Sequence, residues 1–374
     1  MNIKNERKLQ VIIISGCLII LGSLLVFANF VRPARIEQFG LYVERARVTN
    51  IVSEMTNRDK IDHVEGIFVY QTLEVEMLTG EFRGMRINEV HNNLMNHRLR
   101  EFEEGDRVII ELTDNHIRVQ SPDRGMAHFI SVMVFLALLC VIGGKRGFLS
   151  VIGLLVSLAS ITFILVPLIL AGYPPVLVAI LIGMLIIIAS ITLLSGVNAK
   201  SISAISGCIA GVLVAAFFAF IVGRLAFISG YHLDEIGLLM RFSDQNFSGV
   251  FISGIIISAI GAISDTSMTI SSAMEEVKLA SPSISMKKLA SAGFNVGRDA
   301  MGTMSNTLIL AFVGSSLALV LLSFARNDSW ISFINSDLIG VEIIQAIAGS
   351  IGIVLTVPIT TVVAAKLFSS GVNK

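Results

Sequence analysis

Two aspartates stand at the borders of long apolar runs. Residues 262–277 read AISDTSMTISSAMEEV and follow directly on the apolar run FISGIIISAIG, and residues 295–310 read NVGRDAMGTMSNTLIL. On a helix, Ser258, Ala262, Asp265, Thr269, Ser272 and Glu276 fall on one stripe at spacing three or four, while Asn295, Asp299, Thr303 and Asn306, beside Gly302, form a second. Carboxylates, hydroxyls and carboxamides so arranged can pass an ion, a proton or a small polar solute. If the apolar run crosses a membrane from outside, Asp265 lies about 24 Å along it, near the cytoplasmic edge of the hydrocarbon. An ionisable group there costs about 2.5–3.5 kcal/mol, so it persists where it is paired or lines a wet cavity. Arg298 could supply the counter-charge, with Lys278, Lys287 and Lys288 nearby. The alternative is a helix that simply leaves the membrane, with Asp265 snorkelling, hydroxyls bonded back to helix carbonyls, and Glu275, Glu276 and Asp299 at the surface.

Other chemistries lack their residues. Paired intramembrane aspartates suggest an aspartyl protease, but such enzymes carry YD and GxGD elements where this chain has AISD and GRD. No Walker A, GxSxG, HExxH or dinucleotide fingerprint occurs, so neither a catalytic site nor a cofactor is expected. His91 and His97 flank three asparagines, but a spacing of six suits no helical or H-x3-5-H metal pair. Cys17, Cys140 and Cys208 each lie in an apolar run and offer no disulfide framework.

The elements that hold the polar stripes are membrane spans. With 54% hydrophobic residues, 15% charged and a mean hydropathy of +0.79, the chain is too apolar for a soluble domain. Residues between Lys8 and Arg32 carry no charge and read as an uncleaved anchor, making residues 1–30 a tail and first span. Seven further apolar runs lie at about 127–143, 147–170, 176–196, 201–223, 249–266, 303–323 and 343–365. Eight spans put both termini on one side. With that side cytoplasmic, inner segments hold twelve Lys/Arg against three outside, apart from the large domain. This predicts a multi-pass membrane protein with residues 31–125 extracytoplasmic and residues 126–374 as a seven-helix membrane domain.

Residues 31–125 hold 13 of the 28 Lys/Arg and 17 of the 28 Asp/Glu. Their apolar–polar alternation of period two, punctuated by turns at Thr79-Gly80, Glu104-Gly105-Asp106 and Asp114-Asn115, predicts a small antiparallel barrel or sandwich of about five strands. HNNLMNHRLREF, residues 91–102, is the one helix or loop insert expected. Scattered aromatics and an acidic balance make nucleic acid a poor partner. In the membrane part, Ser203, Gly207, Gly211 and Ala215, and likewise Gly254, Ser258 and Ala262, recur every four residues, as close helix packing requires. Pro358 should free a carbonyl that Thr356, Thr360 and Thr361 can satisfy.

GAISDTSMTISSAMEEV, VGRDAMGTMSNTLILAFVGSSLALVLL and GSIGIVLTVPITTVVA resemble the three hallmark blocks of the YibE/F family of bacterial multi-spanning membrane proteins, over roughly residues 127–367. An anchor followed by an exported β-rich domain is similar to the family's longer, YibE-type members. This chain differs in the first block, where Ser264 and Thr266-Ser267 replace an apolar residue and Val-Ala. The resemblance implies a membrane location and pairing as a homo- or hetero-oligomer with a related membrane protein; it implies no substrate. The expected fold is thus an all-α polytopic bundle of about eight helices with an inserted β domain. The expected function is permease-like movement of a small solute or ion along the two polar stripes. A non-transporting scaffold, whose exterior domain binds a partner or envelope component, is the other reading. The chain shows no inverted repeat of the kind many transporters are built from.

Overall fold

The computed structural model describes residues 15, 21–23, 42–61, 64–93, 101–113, 116–228 and 247–370. Most of the expected anchor, His97, the Asp114-Asn115 turn and Arg241 lie outside the described residues. The chain divides into two compact units: Ala34–Leu138, and Met1–Pro33 together with Leu139–Lys374.

In the first unit, alternation becomes five strands: β1 (Tyr42–Ile61), β2 (Val64–Met77), β3 (Arg86–Asn93), β4 (Arg107–Thr113) and β5 (His116–Pro122). They close into a barrel in the order β1-β2-β3-β5-β4, with β1 returning to β4. One pair, β3 with β5, runs parallel, with His91 opposite Arg118, which corrects the expectation of a wholly antiparallel sheet. The reason is geometric: an odd number of strands cannot alternate direction all the way round a closed ring. Inward-facing Ala46, Val48, Leu73, Val75, Val90, Val108 and Ile110 fill the interior, and Phe102 is buried among them. Gln71 holds Phe102 there: its Nε2 donates to the Phe102 carbonyl at 3.3 Å, and its Oε1 accepts from the Phe102 N–H at 2.9 Å and from Asn92 Nδ2 at 3.0 Å. His91, Asn92 and Asn93 therefore belong to a strand, not to the helix or loop insert expected from residue 91 onward.

The second unit is helical. A 46-residue run, Gly125–Leu170, comprises α1 (Gly125–Ser160), a π turn (Ile161–Leu165) and α2 (Val166–Leu170), and it begins within the first unit. Two spans, at about 127–143 and 147–170, are expected from the sequence here, and between them the run breaks at Gly144, whose φ of 55° only glycine adopts without strain, with Gly147 against the Leu139 carbonyl. There follow α3 (Pro175–Ser195), α4 (Ala199–Leu225), α5 (Phe247–Ala280), α6 (Met286–Ser315), α7 (Leu317–Ala325), α8 (Trp330–Ile334) and α9 (Asp337–Ser369). Among the described residues, five helical runs are long and apolar enough to cross a membrane. A sixth is added if α6 and α7, bent by 54° at the Ser315-Ser316 pair, form one broken span. The expected number was eight, including the anchor. Helix α4 packs along α5 and α9, and α6 packs along α9 and α5. Gly207, Gly211, Gly293 and Gly297 make these approaches possible, because a side chain at any of them would run into Thr360, Thr356, Met274 or Val357 respectively.

Candidate functional site

Helix α5 is polar on two sides, and the two sides differ in what they meet. Its inner line faces α4 and α9 and carries Thr266, Ser267 and Ser271, all fully buried. These residues find partners. Ser271 Oγ lies 2.9 Å from Ser203 Oγ of α4, and Ser267 Oγ lies 3.2 Å from Thr360 Oγ1 of α9. Thr356 Oγ1 donates to the Gly207 carbonyl at 3.2 Å, so a hydroxyl expected to repair its own proline-interrupted helix instead joins two helices. The ion pair of Lys200 with Glu275, at 3.4 Å, stands one turn beyond Ser203 and Ser271. Together they form a ladder of polar contacts that ties α4, α5 and α9 from that pair inward. Thr361, equally buried, has no partner for its hydroxyl among the described residues. Sequence reasoning missed this ladder. The signal that could have found it is that Ser203 and Gly207 on α4 have the same four-residue spacing as Ser267 and Ser271 on α5.

The outer side carries the residues singled out from the sequence. Asp265 and Thr269 are exposed, as are Asp299, Thr303 and Asn306 on α6; Ser272 is half-buried. Thr303 Oγ1 donates to its own helix carbonyls, Asp299 at 3.2 Å and Ala300 at 3.1 Å. Asp265, Thr269, Arg298, Asp299 and Asn306 have no side-chain hydrogen bond or ion pair among the described residues, so Arg298 is not in place as counter-charge within one chain. Of the residues expected to pack helices, Gly207 and Gly211 are buried. Ser258 accepts a hydrogen bond from Gln345 Nε2 at 3.2 Å, whereas Gly254 and Gly302 are exposed with no atom within 4 Å of where a side chain would begin.

The relative height of the two stripes follows from the packing. Helices α5 and α6 run antiparallel across the turn at residues 281–285, with Met274 against Gly293 and Ile270 against Gly297. Continuing that register puts Thr269 level with Arg298, Asp265 level with Gly302, and Gly261 level with Asn306. The two acids therefore stand about 20 Å from the turn, at ~1.5 Å per residue.

The surface around them is unlike that of the other helices. From residue 248 to 278 every exposed residue of α5 is glycine or polar: Gly254, Gly261, Asp265, Thr269 and Glu276. From residue 287 to 308 the exposed positions of α6 are likewise polar or glycine. In contrast, α3 exposes Leu177 and Leu181, and α4 exposes Leu213, Phe217 and Phe220, side chains suited to lipid. No group of three or more His, Cys, Asp or Glu suited to a metal ion occurs among the described residues.

A model of the YibE/F-like protein family matches residues 131–370, which contain both faces of α5 and all of α6 and α9. No curated protein and no solved structure matches the chain. With well over half of its length matched, this membrane-helical chain belongs to the YibE/F-like family.

Proposed function

We propose that the chain is a permease-like membrane protein that moves a small solute or ion along the outward faces of α5 and α6. Asp265, Thr269 and Ser272 form one side of the path, and Asp299, Thr303 and Asn306 the other. The observation that carries the reading is the absence of any exposed large apolar side chain on α5 between residues 248 and 278, or on α6 between 287 and 308. Lipid solvates such a surface poorly, since each ionisable group against hydrocarbon costs about 2.5–3.5 kcal/mol. Water solvates it well, so the face suits a wet path. The reading involves no catalysis and no cofactor.

The charge count supports an orientation in which both termini and the α5–α6 turn are cytoplasmic and the barrel lies outside, where it would gate or capture the solute. In proteoliposomes, Asp265→Asn, Asp299→Asn and Asn306→Ala should each impair solute or proton flux. Undiminished flux in all three would remove these residues from the path.

A further inference from the structure

We infer that α6 is the seam of a symmetric dimer, in which a second copy of this chain packs in parallel along Asn295, Asp299, Gly302, Asn306, Ile309 and Val313. All six are exposed in the single chain. They recur at spacings of four, three, four, three and four, the 3.5-residue repeat that keeps one helix against another through a left-handed crossing. The opposite side of α6, with buried Leu289, Gly293, Gly297 and Ala300, is already occupied by the chain's own bundle.

The chemistry of the seam selects a second copy. A two-fold axis along the membrane normal preserves depth, so each residue meets partners at its own level. Arg298 and Asp299 are neighbours in sequence and differ in height by only ~1.5 Å. Neither has an ion-pair partner among the described residues. Across the axis, Arg298 of each copy meets the carboxylate of Asp299 in the other, twice over. One turn further along, Gly302 has open space where a side chain would begin, which lets two backbones approach. At the next turn the Asn306 carboxamide, donor and acceptor at once, can pair with its own twin; a single asparagine in a seam fixes register and favours two strands. Ile309 and Val313 then continue the seam with apolar contacts. An unrelated partner helix would require none of this self-complementarity.

The inference rests on the same outward surface as the proposed path. In the dimer Asp299 and Asn306 are engaged by the second copy, so flux losses in Asp299→Asn and Asn306→Ala report on the seam as well as the path, whereas Asp265 and Thr269 on α5, off the seam, report on the path alone. The test uses the full chain in lipid vesicles with Cys17, Cys140 and Cys208 replaced by alanine. Gly302→Cys and Asn306→Cys should form inter-chain disulfides on mild oxidation at least about tenfold faster than Phe217→Cys on α4, because only the seam brings the same position of two copies within disulfide reach. Co-expressing two differently tagged copies identifies the product as a homodimer. R298D alone should lower the dimer fraction about tenfold, and R298D/D299R should restore it, because the reversed charges again face one another. Equal rates at all three positions, a product containing a host protein, or a double reversal that restores nothing would each overturn the seam. Labelling of Asp265→Cys and Thr269→Cys by a water-soluble thiol reagent reports on the path separately. Labelling without dimer disulfides keeps the path and rejects the seam; dimer disulfides without labelling do the reverse.

Discussion

The two sides of α5 carry similar numbers of polar residues and put them to opposite uses. On the inner side, Ser267 and Ser271 meet Thr360 and Ser203, and the glycines of α4 bring the helices close enough for those hydroxyls to touch. On the outer side, Asp265 and Thr269 have no side-chain partner among the described residues. Polar content by itself therefore does not mark a functional surface in a membrane helix. What marks it is polarity that the fold leaves unanswered, because a satisfied hydroxyl holds helices together whereas an unsatisfied carboxylate demands water, an ion or another protein. Helix α6 makes the same division with different residues: its buried side is glycine, alanine and leucine, and its exposed side between residues 287 and 308 has no large apolar side chain.

The comparison breaks most visibly at Gly207. Replacing it with leucine drives a side chain into Thr360 and towards Ser267, so the α4–α5–α9 core must separate. Overpacking costs about 1–3 kcal/mol or more, and the expected outcome is loss of monodisperse protein in detergent with a lowered melting temperature. A normal melt would mean that these helices do not pack as closely as described. The outer side should respond in the opposite manner. Asp265→Asn removes a charge that holds nothing together, so stability should change by less than about 0.5 kcal/mol, as at surface positions, while flux in proteoliposomes falls. Destabilisation with intact flux would exchange the roles assigned to the two sides.

How far the sequence reveals this arrangement differs by region. Period-two alternation, as in RARVTNIVSE and DRVIIELTD, makes the strands legible, because most inward positions in so small a barrel are apolar, with Gln71 and Asn92 the polar exceptions that hold Phe102. The parallel β3–β5 pair is not legible from alternation, which is blind to strand direction; it follows only once the barrel is known to close. Nor is the fate of HNNLMNHRLREF, whose first three residues complete β3 and whose last, Phe102, is buried in the barrel core. In the membrane unit, hydropathy locates α3, α4, α5 and α9 and also the interruption at Gly144, between the runs 127–143 and 147–170, but it cannot register the bend at Ser316, which depends on local dihedrals. For the site, spacing puts Asp265 with Thr269 and Asp299 with Asn306 on single helix faces. Spacing alone cannot say which face is inward, because hydroxyls occur all round α5 and only the glycines of α4 decide which of them are enclosed.

Finer tests sharpen the inner side. A double-mutant cycle on Ser203→Ala and Ser271→Ala should give a coupling of about 0.6 kcal/mol, the usual size of an interhelical hydrogen bond in a membrane protein. Measured by reversible unfolding in mixed micelles, a coupling of zero would mean that the 2.9 Å contact contributes no cohesion. The smallest effect is expected at Thr303, which is exposed yet polar. Its hydroxyl already donates to the carbonyls of Asp299 and Ala300 on its own helix, so among the described residues it is the one member of the α6 stripe whose polarity the fold has answered. Thr303→Val keeps the shape and removes that bond, and because the carbonyls retain their backbone donors the stability change should stay within about 0.5 kcal/mol. If flux also survives Thr303→Val while Asp299→Asn and Asn306→Ala abolish it, the path follows the unanswered side chains and not the stripe as a whole. Equal losses at all three would mean that the face acts through its shape, and partner count would then fail as the criterion that separates the two sides of these helices.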